Sequence, residues 1–392
     1  NIELEFLDCH ANQLTNLDVS KNIKLIELDC YDNQLNELTI SNNIELEFLD
    51  CHANQLTNLD MSKNIILEKL YCWSNQLIDL DVSKNIELML LDCSENQLTN
   101  LDISKNIILD SLYCSKNKIN NLDLTNNINL INLDCSENQL TNLDISKNII
   151  LEKLYCWSNQ LNNLNVTKNI NLTFLLCFEN QLSNLDLINN INLTFLLCSG
   201  NQLNNLDLSK NINIEILECS KNQINNLDLT NNINLMSLGC SGNQLSNLDL
   251  KNNMNLIGIV CSDNQLSSLD VSPLTNLWVL NCCNQAEGFI LYLTDAQKGT
   301  FTEENYCNAI LKEKDGSICE IEWLDIYPNP TADKFSIESK FFADEIKILN
   351  LAGEVLYKAT LNSEKTEIDI SNLPAGVYLV ITKGRIGKVV KN

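Results

Sequence analysis

The sequence predicts a repeat solenoid, a leucine-rich parallel β-solenoid, closed by a small Ig-like β-sandwich. Three observations carry that prediction. Cysteine recurs at Cys9 and then every 21 residues to Cys282 without a slip, so fourteen of the seventeen cysteines hold one repeat position. All four prolines (Pro273, Pro328, Pro330, Pro374) lie late and only 11 glycines occur in 392 residues, so nothing interrupts a backbone ladder before residue 273. From Leu324 the period gives way to short alternating segments, Phe335–Ile337, Ile346–Leu349, Glu354–Tyr357, Glu367–Ile370 and Val377–Thr382, separated by turn residues.

The repeat unit reads L-x-x-L-x-C-x-x-N-Q-L-x-x-L-D-φ-S-x-N-x-x with φ apolar, as in Leu25, Leu28, Cys30, Asn33, Leu35, Leu38, Ile40 and Asn43. Leu28-x-Cys30 alternates inward and outward like a short strand, and Leu35, Leu38 and Ile40 add inward anchors. One coil encloses no core, but coils stacked about 4.8 Å apart bury a continuous one and pair each strand with the next in parallel. The unit also looks doubled, since Leu7-Asp8-Cys9 before Asn12 is echoed by Leu17-Asp18-Val19 before Asn22, which predicts a second, convex strand in most coils. Asparagine at both turn positions offers an amide that bonds backbone groups left open by the bend, and stacked copies form ladders.

Cysteine at one strand position argues for reduced, buried thiols acting as compact hydrophobes. Zinc needs four converging ligands, whereas these lie in a line and the only histidines are His10 and His52. Bridges between neighbouring rungs require side chains turned toward each other, which parallel stacking disfavours. Cys283, Cys307 and Cys319 lie outside the ladder, and the expected bridge is Cys307 to Cys319, closing a cap at Ile290–Leu293 (strand) and Thr302–Leu311 (helix).

The unit matches the leucine-rich-repeat pattern, and cysteine in place of the last strand leucine resembles internalin-type bacterial repeats of the cysteine-ladder subgroup, over residues 1–283. The resemblance implies the fold, and a role in adhesion or protein binding with ligands that differ between members.

Residues flanking the inward Leu and Cys point outward to the concave side. One column holds Phe6, Phe48, Phe174 and Phe195; the next holds Asp8, Asp29, Asp50, Tyr71, Asp92, Tyr113, Asp134 and Tyr155; the third runs His10, Tyr31, His52, Trp73, serines, then Trp157 and Phe178. Tyr31, Tyr71, Trp73, Tyr113, Tyr155, Trp157 and Phe178 are the expected ligand-binding residues for a protein or glycan, because aromatics on a rigid sheet anchor partners. The competing reading is repeat copying, since Leu67–Leu77 and Leu151–Leu161 are identical; copying accounts for their likeness and not for their position.

A further column from Asp18 lines up eleven Asp, one Thr and one Asn in thirteen units. Neighbouring lysines such as Lys21 and Lys63, or Ser and Thr two positions on, offset the repulsion. A dedicated calcium site needs an oxygen-rich loop that this array lacks, so no metal or cofactor is expected. Catalysis needs unlike groups converging on one spot, and repeated copies do not supply them. His10 and His52 share one repeat position beside inward Cys9 and Cys51, and Gly200 and Gly242 are isolated turn positions; no enzyme is expected.

Residues from Asp325 onward hold nine Lys+Arg and nine Asp+Glu, so the whole net charge of −25 (17 minus 42) sits in residues 1–324. Such a surface repels nucleic acid and anionic lipid. No apolar run reaches the roughly 18 residues of a membrane helix, so no membrane insertion is expected. The chain opens at Asn1 without a leader, which reads as a mature form or a fragment.

Tyr327-Pro328-Asn329-Pro330, Leu351-Ala352-Gly353-Glu354, the run Ile370 to Tyr378 with Leu373 and Gly376, and the closing Lys388 to Lys391 resemble the type A sorting domain of type IX secretion. That resemblance implies a Bacteroidetes source, contact of residues 325–392 with the secretion machinery, export across the outer membrane, and removal of the domain with anchoring of some cargoes to surface polysaccharide. The expected organisation is a solenoid over 1–283, a cap and linker over 284–324, and the sorting domain over 325–392. The expected protein is a monomeric, secreted or surface-displayed binder; the alternatives are an accessory region of a larger exported enzyme and a passive spacer.

Overall fold

Each 21-residue unit forms one coil in the computed structural model, which describes residues 1–294, 297, 307, 309–313, 322–323, 325–327, 329–338, 345–350, 355–360, 365–382 and 385–391. Every coil contributes one three-residue strand; in Asn1–Ile214 ten such strands, Phe6–Asp8 to Phe195–Leu197, lie in parallel in sequence order, and in Glu215–Asn392 four more, Ile216–Glu218 to Val279–Asn281, do the same. Pairing is position on position: Leu7 opposite Leu28, Leu28 opposite Leu49. Leu25, Leu28, Cys30, Leu35, Leu38 and Ile40 of one coil are all buried. Each such leucine contributes about 1.5–3 kcal/mol of burial free energy, an upper figure because unfolded chains already hide part of it. Two compact units, Asn1–Ile214 and Glu215–Asn392, divide the chain inside the repeats, as expected when a coil touches only its neighbours.

The turn after each strand has a fixed backbone shape. The second residue past every cysteine adopts positive φ, from Ala11 (49°) through Glu95 (52°) to Asn284 (53°), and Gly200 (64°) and Gly242 (62°) occupy the same place. Asparagine then locks the turn. Asn96 Nδ2 donates to the carbonyls of Cys93 (3.2 Å), Ser94 (3.1 Å) and, one coil back, Cys72 (3.0 Å), while its Oδ1 accepts Leu77 N–H (2.9 Å). The second row is fully buried: Asn64 Nδ2 donates to Ile40 O (3.1 Å) and Asn43 O (2.7 Å) of the preceding coil. Both asparagine rows are therefore inter-coil ladders, as the turn chemistry predicts.

The expected second strand per coil is absent from residues 1–260 and occurs only at Ser268–Asp270. Just past the would-be strand the backbone is bonded locally: Asp18 Oδ1 accepts Ser20 N–H (2.9 Å), and Val19 O accepts Asn22 N–H (2.9 Å) and Asn43 Nδ2 (3.0 Å). Ser268–Asp270 is followed by the same bonds, Asp270 Oδ1 accepting Ser272 N–H (3.1 Å) and Val271 O accepting Leu274 N–H (3.0 Å), and still pairs with Ile290–Leu293, so this local bonding does not by itself decide whether the strand forms.

Ser268–Asp270 pairs in parallel with Ile290–Leu293, and that strand with Ile310–Glu313. Ile290–Leu293 is a strand as expected. The helix expected over Thr302–Leu311 ends instead in strand at Ile310 and Leu311, and most of the segment lies outside the described residues. The expected Cys307–Cys319 bridge is corrected: Cys307 bonds Cys283, with Cα atoms 5.0 Å apart, and Cys319 lies outside the described residues. Cys283 holds the outward position next to the last ladder cysteine, so its thiol turns away from the core and into reach of the returning chain. The fourteen ladder cysteines are thiols, as expected.

Beyond residue 321, five strands (Glu322–Trp323, Arg385–Lys391, Gly376–Thr382, Glu345–Leu349, Val355–Thr360, in spatial order) form one sheet, and Asp325–Tyr327, Lys334–Glu338 and Lys365–Asp369 form another. Phe335, Ile337 and Ile368 from the smaller sheet share one core with Ile346, Ile348, Tyr378, Val380 and Val389 from the larger, which makes a small β-sandwich.

Candidate functional site

The strand face carries side chains that the core does not need. In-register pairing turns the sequence columns into rows, so rings one repeat apart meet. His10, Tyr31, His52 and Trp73 stack face to face, with centroids 4.4, 4.4 and 4.1 Å apart and planes within 6–11° of parallel. Trp157 stacks on Phe178 (4.9 Å, 9°) and Phe174 on Phe195 (4.5 Å, 9°), with Lys153 Nζ 5.5 Å from the Phe174 centroid. The first stack is held at its base by carboxylates, His52 Nδ1 lying 2.6 Å from Asp50 Oδ1 and His10 paired likewise with Asp8. Rings held this way lose little freedom when a partner covers them.

Of the predicted contact residues, Tyr31, Tyr71, Trp73, Tyr113, Tyr155 and Trp157 are half-buried, with part of each ring at the surface. Phe178 is placed in the second stack but is only 7% exposed. Between the stacks the ring position passes to Ser94, Ser115 and Ser136, so Trp73 and Trp157 end two separate arrays four coils apart.

The neighbouring column alternates Asp50, Tyr71, Asp92, Tyr113, Asp134 and Tyr155, which keeps carboxylates two coils apart. Where alternation fails, Asp8, Asp29 and Asp50 lie directly opposite one another. Burial, and then the charge of Asp50, push the Asp29 carboxyl up to about 6. Burial pushes Asp92 up to about 6 against the opposing hydrogen bonds from Ser94, and raises Asp134 despite its bonds from Ser136. Asp92 and Asp134 are half-buried, and this stretch of the face becomes more anionic as pH rises through about 6.

On the opposite edge of the coil, the row beginning at Asp18 is settled by local bonding. Asp60, Asp81 and Asp102 each accept the backbone N–H two residues on at 2.9 Å, and with the serine hydroxyls this holds their carboxyls below the usual range. Among the described residues no three His, Cys, Asp or Glu side chains converge to hold a metal ion. Burial raises the ladder thiols, Cys177 to about 12 and Cys51, Cys72 and Cys114 well above their ordinary value, so they are protonated and poor nucleophiles.

In the C-terminal sandwich, motif residues far apart in sequence converge. Asn329 Nδ2 donates to Lys388 O (2.6 Å) and its Oδ1 accepts Val390 N–H (2.9 Å), joining the first motif to the last strand. Lys391 is buried, and its Nζ donates to the carbonyls of Ile370 (3.0 Å), Ser371 (2.9 Å) and Leu373 (2.7 Å). Tyr378 Oη donates to Pro374 O (2.5 Å), Gly376 pairs with Lys391, Tyr327 lies at the end of its strand, and Pro330 follows Asn329 through a cis bond. Pro328 and Gly353 lie outside the described residues. The basic tail thus serves as the clasp of the ISNLPAG turn, a use that its charge alone does not reveal.

The cysteine-laddered coils and the clasped sandwich together define an internalin-like leucine-rich-repeat solenoid followed by a secretion-sorting domain. Residues 325–392 match the secretion system C-terminal sorting domain, which marks the chain for export to the outer cell surface or the medium. The structure is similar to the functional domain of InlJ from Listeria monocytogenes, itself described as including a cysteine ladder: 28% identity, covering 100% of this chain and 90% of that one, TM-score 0.68. It is also similar in fold to the internalin InlF of Listeria monocytogenes, at 20% identity over 76% of this chain and 85% of that one, TM-score 0.63. The ulvan lyase NLR42 of Nonlabens ulvanivorans is 32% identical over 72 residues, 18% of this chain, which spans 14% of that protein's length.

Proposed function

We propose that this chain is a non-enzymatic, exported binding protein that contacts a protein or glycan through the outward strand face of its first nine coils. Residues 1–283 carry the binding surface, 284–324 close it, and 325–392 engage the secretion machinery. The observation that carries this reading is the pair of aromatic arrays ending at Trp73 and Trp157: both tryptophans stay half-exposed on the outward face, yet they are held in parallel stacks on rigid strands. Aromatic side chains so fixed are the usual anchors of interfaces. The acidic column beside them disfavours polyanionic ligands and favours neutral or basic ones.

The test is binding of the full chain to arrays of glycans and of secreted and surface proteins, followed by the double substitution Trp73→Ala, Trp157→Ala. Binding should weaken at least tenfold, about 1.4 kcal/mol or more. Undiminished binding by the doubly substituted chain assigns the arrays to mere decoration and leaves the solenoid as a spacer.

A further inference from the structure

Outside the strand face lies an apolar row that stays half-exposed among the described residues. Eleven isoleucines, one every 21 residues from Ile2 to Ile212, each follow the turn asparagine and are 48–60% exposed. All lie in the unit Asn1–Ile214. Ile66, Ile108 and Ile150, next in sequence, are 36–38% exposed and widen the row at alternate coils. Eleven half-exposed isoleucines present on the order of 1,000 Å², above the ~300–600 Å² of the largest apolar patch on a typical monomer. It also exceeds the ~800 Å² that each partner contributes to a standard interface.

We propose that this row is a self-association surface and that its occupant is a second copy of the chain, replacing the expectation of a monomer. Two arguments select that occupant. The row repeats at the strand spacing of the coils, about 4.8 Å per step over the ten steps between its eleven isoleucines. Another row with the same spacing can interdigitate with it along its whole length. The flanks are also complementary in charge. Two residues before the isoleucine, the perimeter carries Lys21, Lys63, Lys84, Lys105, Lys147 and Lys168, with the Asp18 row three residues further out; one to three residues after it come Glu5, Glu47, Glu68, Glu87 and Glu152, and Lys24 on that side is paired with Glu45. A two-fold axis parallel to the rows, which run the same way in both copies, sets each lysine flank against the partner's acidic flank. Such an interface is isologous and closed.

Sedimentation velocity of the full chain over a concentration series tests this. A dimer is expected, and Ile86→Lys, Ile107→Lys, Ile128→Lys together should raise its dissociation constant by about 100-fold or more, since three branched side chains leave the seam. The matching threonine triple, which keeps the β-branch and adds no charge, guards against misfolding and should weaken the dimer less. Lys63→Glu with Lys84→Glu should weaken it, and adding Glu68→Lys with Glu87→Lys, the residues of the same two coils that face them across the axis, should restore it. Trp73→Ala with Trp157→Ala should leave it unchanged, which separates this surface from the strand face. A chain that stays monomeric at about 100 μM, where dimers of micromolar affinity form, overturns the proposal. So does a dimer indifferent to the lysine triple, or a monomer that instead pellets with phosphatidylcholine vesicles.

Discussion

Asn138 and Asn148 belong to the two asparagine rows of neighbouring coils, and they should respond differently to the same truncation. Asn138 Nδ2 donates to the carbonyls of Cys114 (2.9 Å), Ser136 (3.1 Å) and Cys135 (3.2 Å), and its Oδ1 accepts Ile119 N–H (2.9 Å). Asn138→Ala leaves the buried Ile119 N–H without an acceptor, a loss of about 1–3 kcal/mol, and strips three carbonyls of a shared donor. The expected total is about 3 kcal/mol. Asn148 is more deeply buried, 0% against 8% exposed, yet donates only to Asn127 O (2.7 Å) and Leu124 O (3.3 Å), and its buried Oδ1 accepts nothing. Removing an amide whose acceptor is already unsatisfied recovers part of the loss, so Asn148→Ala should cost about 1 kcal/mol. Asn138→Asp should be worse than Asn138→Ala at pH 7, because a carboxylate oxygen then faces three carbonyls. Its folded-state pKa is raised, so the deficit should shrink as pH falls through that raised value and be smallest below about pH 4, where the carboxyl is protonated in both states. Urea unfolding of each variant, with amide exchange at Ile119 as the local readout, measures the ranking. Equal losses at the two positions, or a larger one at Asn148, would refute the reasoning.

Acidification from pH 7.5 to about 5 should raise Tm: Asp29 and Asp92 titrate near 6 in the fold against an ordinary value of about 3.9, so their contribution is complete below about 4 and lost as pH rises through 6. Below about pH 4 Tm should fall, because Asp60, Asp81 and Asp102 are held low by hydrogen bonds that protonation breaks. Asp29→Asn with Asp92→Asn should flatten the upper arm in a calorimetric pH series; an unchanged slope would show that those two carboxyls are not its source. Ala53→Gly, at φ 49°, should stabilise the chain by about 1 kcal/mol, because glycine adopts that conformation without Cβ strain, and a loss of stability in denaturant would contradict it.

The strand positions were legible because a 21-residue period fixes the register outright: Leu28 can meet only Leu7 and Leu49 without displacing every buried leucine. The asparagine ladders were legible for the same reason, as one turn repeated is one row. The convex strand was misread because Leu17-Asp18-Val19 has the strand's pattern, while the backbones of neighbouring coils do not pair there. Pattern shows which faces are apolar and is silent on who wins a hydrogen bond. The Cys283–Cys307 bridge depends on where the chain returns after the period ends, which local sequence does not encode. In the candidate site the columns were readable, and the stacking that half-buries Trp73 and covers Phe178 was not, since ring orientation follows from the neighbouring coil. The isoleucine row was in plain view as N-I-x-L, but period alone does not say that Ile107 faces water while Leu109 faces the core.

The stacking of coils in register, which makes each repeated residue a row in space, is tested most directly by site-resolved thiol labelling of the native chain. Cys9 is partly accessible, whereas Cys30 through Cys282 are buried. With Ellman's reagent and peptide mass mapping, Cys9 should be modified promptly, and the thirteen ladder thiols behind it only when guanidinium unfolds the coils. Native labelling of Cys72, Cys114 or Cys156 at the rate of Cys9, or disulfides found between ladder positions, would contradict the aligned interior on which every other conclusion rests.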